Sequence, residues 1–186
     1  MIKKKHIPNW FTFSRVLIVL PFLVLYPDPA SRALWLVALL ILCEATDMLD
    51  GMVARGLNAV SDFGKLLDPY ADSFYRLTAF LTLTLAGVFP VWAFVALMFR
   101  DVSVAYIRVF EASHGHVRAA RISGKIKAIV QGVGLIGLAI YGVLYPEPLT
   151  FGAPIYIDLT IYAVVGVTLW SLYDYAQPLW GKSEGE

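Results

Sequence analysis

Six apolar stretches divide this chain, at about Phe11 to Tyr26, Ala33 to Val53, Tyr70 to Val88, Val91 to Phe110, Ile126 to Leu144 and Ile155 to Tyr175. Each approaches the roughly 20 residues a helix needs to cross the ~30 Å hydrocarbon layer of a bilayer. The separators are Pro27 to Pro29, Gly56 to Lys65, Gly87 to Pro90, Ser113 to Gly124 and Pro146 to Pro154, all of turn or helix-stop composition. With 59% hydrophobic and only 16% charged residues, the chain does not describe a soluble domain. The expectation is an all-α integral membrane protein with six transmembrane helices. A single domain would fill 1–186, with a basic segment at 1–8 and a polar tail at 176–186.

The first stretch is short, contains Arg15 and a kink-prone Pro21, and follows Lys3 to Lys5, so it also has the outline of a secretory signal. No small-residue cleavage site follows it, which favours a retained helix. The one cysteine, Cys43, lies inside an apolar run, so there is neither a disulfide framework nor a cysteine-rich metal site. A net charge of +1 gives no reason to expect a nucleic-acid partner.

Lysine and arginine are retained on the cytoplasmic side of membrane helices. Lys3 to Lys5, then Arg55 and Lys65, then Arg108, Arg118, Arg121, Lys125 and Lys127, and finally Lys182 all fall on one side, whereas the opposite loops carry only Arg32. Both termini are therefore expected in the cytoplasm.

On that same side the acids gather in one block, spaced D-x-x-D-G-x-x-A-R-x8-G-x3-D-x3-D: Asp47, Asp50, Gly51, Ala54, Arg55, Gly64, Asp68 and Asp72. Ionised groups beside hydrocarbon are costly and mark an ion site, a proton path or a catalytic centre. Asp47 and Asp50 are three apart at the end of the second stretch, and Asp68 and Asp72 are four apart at the matching end of the third, so each pair shares a helix face. Two carboxylates ~6 Å apart repel by about 3 kcal/mol at an effective dielectric of ~20. Magnesium or manganese, hard ions that accept carboxylate and phosphate oxygens, would remove that repulsion. Gly51 and Ala54 lack bulk and would let a ligand approach, and Arg55 offers a fork suited to phosphate. Singly, each has a plain alternative: small residues permit tight helix packing, and Asp62 or Asp68 would serve as a helix cap. Together they point to a divalent-metal site for phosphoryl transfer at the cytoplasmic end of helices two and three.

The run from Asp47 to Asp72 resembles the signature of the CDP-alcohol phosphotransferase family at every specified position. Pro8, Asn9, Thr12, Arg15, the pair Arg100 and Arg108, and the run Gly124, Lys125, Ile126, Lys127 and Gln131 further resemble its phosphatidylglycerophosphate synthase branch. The resemblance implies a six-helix, commonly homodimeric enzyme of the cytoplasmic (inner) membrane. Such an enzyme moves a phosphatidyl group from CDP-diacylglycerol to a small alcohol and releases CMP. It also implies that Asp47 and Asp68 bridge two divalent cations, that Asp50 completes one site, and that Asp72 binds the other ion and acts as the base. Gly51, Ala54, Arg55 and Ser61 would then hold the CDP part of the donor, with Asn9 and Thr12 closing over it. The chain departs from the pattern at Asp101, where glutamate is usual, and at Ser73 to Arg76, where a lysine-led apolar stretch is expected. Both departures bear on the acceptor alcohol.

Two metals flanking a phosphoanhydride can neutralise its charge and align the attacking and leaving oxygens. An acceptor that carries its own phosphate, such as glycerol 3-phosphate, would account for Arg100, Arg108, Lys125 and Lys127 gathering on that face. The competing explanations are the positive-inside rule, anionic head groups and, for Arg100, an ion pair with Asp101. Among these cations Arg100 and Lys125 lie closest to the expected membrane boundary. His114 and His116 read as residues of a solvated loop, and Trp35, Trp92, Trp170, Tyr145, Tyr156 and Tyr173 as interfacial anchors. The glycines from Gly132 to Gly142 suit either the bundle or a dimer seam. A transporter would want a polar path across the membrane, a prenyltransferase lacks the G-x-x-A-R insertion, and a scaffold has no use for four clustered acids. Other alcohols, inositol phosphate or serine among them, are the alternatives within the family.

Overall fold

The computed structural model describes residues 37, 38, 40–42, 62–114, 121–145 and 154–180, with the backbone alone described at 62–69 and 179–180. Among these residues the structure is helical, without strands. Four helices follow in chain order: α1 at Asp62–Leu85, α2 at Val91–Ser113, α3 at Ile122–Leu144 and α4 at Ile155–Trp180. They correspond to the third to sixth apolar stretches. Residues 37, 38 and 40–42, within the second stretch, are also helical, and Leu40 packs into the core. The first stretch lies outside the described residues.

The helices overrun the apolar stretches at the charged ends. α1 starts at Asp62, so the end of the segment expected to be a turn is helical and runs on through Pro69. α4 continues to Trp180, well into the segment expected to be a polar tail. Hydropathy reports where lipid begins, but backbone hydrogen bonding propagates past that boundary.

α3 and α4 are each long and apolar enough to cross a membrane; the 23 residues of α3 rise about 35 Å. Their surfaces are inverted relative to a water-soluble bundle. Ile122, Ile126, Ile129, Val133, Ile136 and Ile140 form an exposed stripe along α3 at helical spacing, while Ser123, Lys127 and Gln131 are buried. α2 likewise exposes Val95, Phe99, Val102, Tyr106 and Val109 and buries Arg100 and Asp101. Apolar outside with polar inside is what lipid selects, because nothing in hydrocarbon can solvate an outward polar group. Buried or half-buried hydroxyls follow the same rule by bonding back one turn: Thr82 donates to the Thr78 carbonyl at 3.0 Å and Thr84 to the Phe80 carbonyl at 2.8 Å.

A tight turn joins α1 to α2. Gly87 takes φ 74°, which an L side chain rarely adopts, and the Val88 amide donates to the Leu83 carbonyl at 2.9 Å. The chain reverses so closely that Phe80 and Phe89 meet with ring centroids 4.8 Å apart. α4 packs against both α2 and α3, and α1 packs against α2 and α3. The α3–α4 seam is close at Gly134, where a Cβ would come within 2.6 Å of Val164 Cγ2. The hydrocarbon core, including Leu83, Leu97, Leu135, Leu138 and Ile161, fills the bundle towards the α1–α2 turn. The far end of the bundle is filled differently.

Candidate active site

Towards the α1 N-terminus and the α4 C-terminus, the interior is built from charge. Arg100, Asp101 and Lys127 are 7%, 9% and 5% exposed. Arg100 Nη1 donates to Asp101 Oδ1 at 2.9 Å, and Lys127 Nζ donates to the same oxygen at 2.7 Å. Arg100 Nη2 reaches across to α4 and donates to Ser171 Oγ at 2.7 Å. One carboxylate thus holds two cations from two helices, and the set keeps an excess of one positive charge. Burying three charges costs several kcal/mol per ion unless the geometry compensates, so an arrangement left with surplus cation is poised for an anion. A turn deeper, Gln131 Nε2 donates to Thr168 Oγ1 at 2.9 Å and Thr168 donates to the Val164 carbonyl at 2.6 Å, which closes the polar network against the apolar core.

Tyr175 on α4 organises the next layer out. Its hydroxyl oxygen accepts from Arg108 Nη2 at 2.9 Å and from the Arg121 backbone N–H at 3.1 Å. The guanidinium carbons of Arg100, Arg108 and Arg121 lie 5.6, 5.3 and 5.4 Å from its ring centroid, within cation–π range. Gly124 admits the phenol, since a Cβ there would stand 3.1 Å from the hydroxyl oxygen. Asp174, one residue before, ties the start of α3 to α4. Arg121 Nη1 donates to its Oδ1 at 2.9 Å and to its carbonyl at 2.5 Å, and the Ser123 hydroxyl donates to Oδ2. That carbonyl is available because Pro178, inside α4, has no N–H with which to occupy it.

Of the residues expected at the donor and metal sites, Asn9, Thr12, Asp47, Asp50, Gly51, Ala54, Arg55 and Ser61 lie outside the described residues. Asp68 and Asp72 fall on the continuous helix α1, where their four-residue spacing gives them a common face; Asp72 is half-buried. Among the described residues no three metal-ligating side chains cluster, and of the four expected carboxylates only Asp72 has a described side chain. An all-carboxylate donor set remains chemically suited to a hard divalent cation.

The expected acceptor cations divide. Arg100 and Lys127 are brought together and buried, and the competing explanation for Arg100, a pair with Asp101, is also present. Arg108 is exposed but bonded to Tyr175, and Lys125 is exposed, two residues from Lys127 and so on the other side of α3. His114 places Nδ1 2.9 Å from the Phe110 carbonyl at the end of α2, consistent with an exposed end residue; His116 lies outside the described residues. Sequence reasoning overlooked Ser171, Asp174 and Tyr175. A signal existed: Thr168, Ser171 and Tyr175 recur at helical spacing in an otherwise apolar stretch.

Comparison with known proteins bears on the reaction this site serves. The family model for CDP-alcohol phosphatidyltransferase matches residues 5–175. The chain is 28% identical over 188 residues to the CDP-diacylglycerol–glycerol-3-phosphate 3-phosphatidyltransferase of Bacillus subtilis, covering 94% of this chain and 95% of that one. It is 31% identical over 135 residues to the protein of the same name from Treponema pallidum, covering 66% and 62% of the two chains. With the probable phosphatidylglycerophosphate synthase of Mycobacterium tuberculosis it shares 32% identity over 146 residues, 75% of this chain and 69% of that one.

Proposed function

The chain belongs to the CDP-alcohol phosphatidyltransferase family, and we propose that it transfers the phosphatidyl group of CDP-diacylglycerol to glycerol 3-phosphate, giving phosphatidylglycerophosphate and CMP. The observation that carries this reading is the buried Arg100–Asp101–Lys127–Ser171 set, whose surplus positive charge lies inside the same bundle as Asp72. A phosphorylated acceptor supplies the anion that this surplus favours.

In this reading Asp72 takes the proton from the acceptor hydroxyl. The hydroxyl oxygen forms a bond to the phosphorus on the diacylglycerol side of the anhydride, the bond to the bridging oxygen breaks, and CMP departs with that oxygen; Asp72 then gives its proton to water. Arg100 and Lys127 hold the acceptor's phosphate, with Arg108 and Lys125 at the rim of the site. Asp47, Asp50, Asp68 and Asp72 would hold two divalent cations, Mg2+ or Mn2+, which neutralise phosphoanhydride charge when bound. Gly51, Ala54, Arg55 and Ser61, with Asn9 and Thr12, would cradle the CDP group. The six-helix topology with both termini and the site on the cytoplasmic side of the inner membrane, and a homodimeric state, belong to the same proposal. The positive-inside distribution of cations supports that topology.

The test is CMP release by purified protein given CDP-diacylglycerol and magnesium or manganese, with glycerol 3-phosphate, inositol phosphate or serine offered separately. Release with glycerol 3-phosphate, stopped by chelation, is the expected result. Release only with another alcohol would overturn the acceptor assignment.

A further inference from the structure

Arg76 has no role in the site described so far. It lies on α1 four residues after Asp72, about 6 Å further along the same face, and is half-buried. α1 packs against α3, and the Arg76 guanidinium lies within electrostatic reach of the Lys127 ammonium. None of the ion pairs among the described residues engages it. A half-buried guanidinium this far along an apolar helix is costly, and ionisable groups there face a partner or a ligand.

The described cations packed beside it do not supply that partner. Arg100, Asp101 and Lys127 already carry one excess positive charge, and Arg76 raises the excess to two. A phosphomonoester has a charge of about −1.5 to −2 at pH 7, which matches that surplus. Guanidinium also presents a planar pair of donors to phosphate oxygens. Since Asp72 and Arg76 stand one turn apart on one face, a short alcohol phosphate spans the interval between them.

We propose that Arg76 is a further acceptor-binding residue. It binds the phosphate of the acceptor alcohol together with Arg100 and Lys127, and the acceptor hydroxyl is thereby directed along α1 to Asp72. This rests on the reading of the site given under Proposed function.

The experiment uses full-length purified protein with Arg76→Gln and Arg76→Lys. Arg76→Gln is expected to raise KM for glycerol 3-phosphate by about tenfold or more while KM for CDP-diacylglycerol stays within about twofold, with Arg76→Lys between the two. A merely structural role would raise both KM values together and lower the thermal midpoint to match, and that result overturns the proposal, as does an unchanged acceptor KM. A second readout needs no turnover: inorganic phosphate should raise the thermal midpoint of the wild type more than that of Arg76→Gln, and an equal rise overturns the proposal. If the wild type turns over only with an unphosphorylated alcohol, the acceptor reading fails separately. The phosphate-dependent midpoint then decides the role of Arg76 by the same criterion.

Discussion

Near the α1–α2 turn the bundle is closed by hydrocarbon: Phe80 against Phe89, with Leu83, Leu138 and Ile161 around them. At the opposite end the same helices meet through Arg100, Asp101, Lys127 and Ser171, with Tyr175 between three guanidinium groups. Both interiors are buried, yet only the first is an inexpensive way to hold helices together. Replacing buried ion pairs with well-packed apolar groups is often neutral or stabilising, so packing alone gives no reason for charge at the second end. The difference separates an end closed by hydrocarbon from an end whose surplus charge suits the proposed acceptor phosphate.

Substitutions at four positions would break or sharpen that contrast. Asp72→Asn should have the largest effect, lowering kcat for CMP release by about a thousandfold or more while donor binding persists; near-normal turnover would remove Asp72 as the base. Asp101→Ala leaves two buried cations without their counter-ion and should cost about 3–5 kcal/mol in detergent unfolding as well as acceptor affinity. Asp101→Glu restores the charge and is expected to recover most of both. At the apolar end, Leu138→Ala should cost about 2 kcal/mol, because chiefly the cavity part of the penalty survives where lipid replaces water. Both KM values should stay unchanged; a selective change in acceptor KM would mean the two ends are coupled. Lys125→Ala, at the exposed rim, should shift acceptor KM by no more than about threefold, the scale of an exposed charge.

Much of the helical content was legible in the sequence, because lipid imposes a long apolar run on any helix it surrounds. The α2 start at Val91 and the α3 end at Leu144 coincide with the limits of those runs. The α1 start and the α4 end do not, since polar residues such as Asp62 and Gln177 continue a helix without any hydropathic mark. In the site, composition could flag Arg100 and Lys127 as cations at a membrane edge. It could not show that Asp101 receives both, because Asp101 and Lys127 are 26 residues apart and come together only when α2 packs beside α3. Boundary position favoured Lys125, yet the helical phase of α3 buries Lys127 instead. Taken singly, Tyr175 carries no mark of its role in the sequence, because a tyrosine near a membrane surface already has a sufficient explanation as an anchor, and only its neighbours distinguish it.

Pro178 usually would count as damage to the helix that contains it. Its missing N–H leaves the Asp174 carbonyl to Arg121, at the first turn of α3. The closing turns of α4 are therefore tied to a separate segment some fifty positions earlier, and that segment in turn is fastened where α4 is imperfect. A flawless final helix would have nothing there to offer.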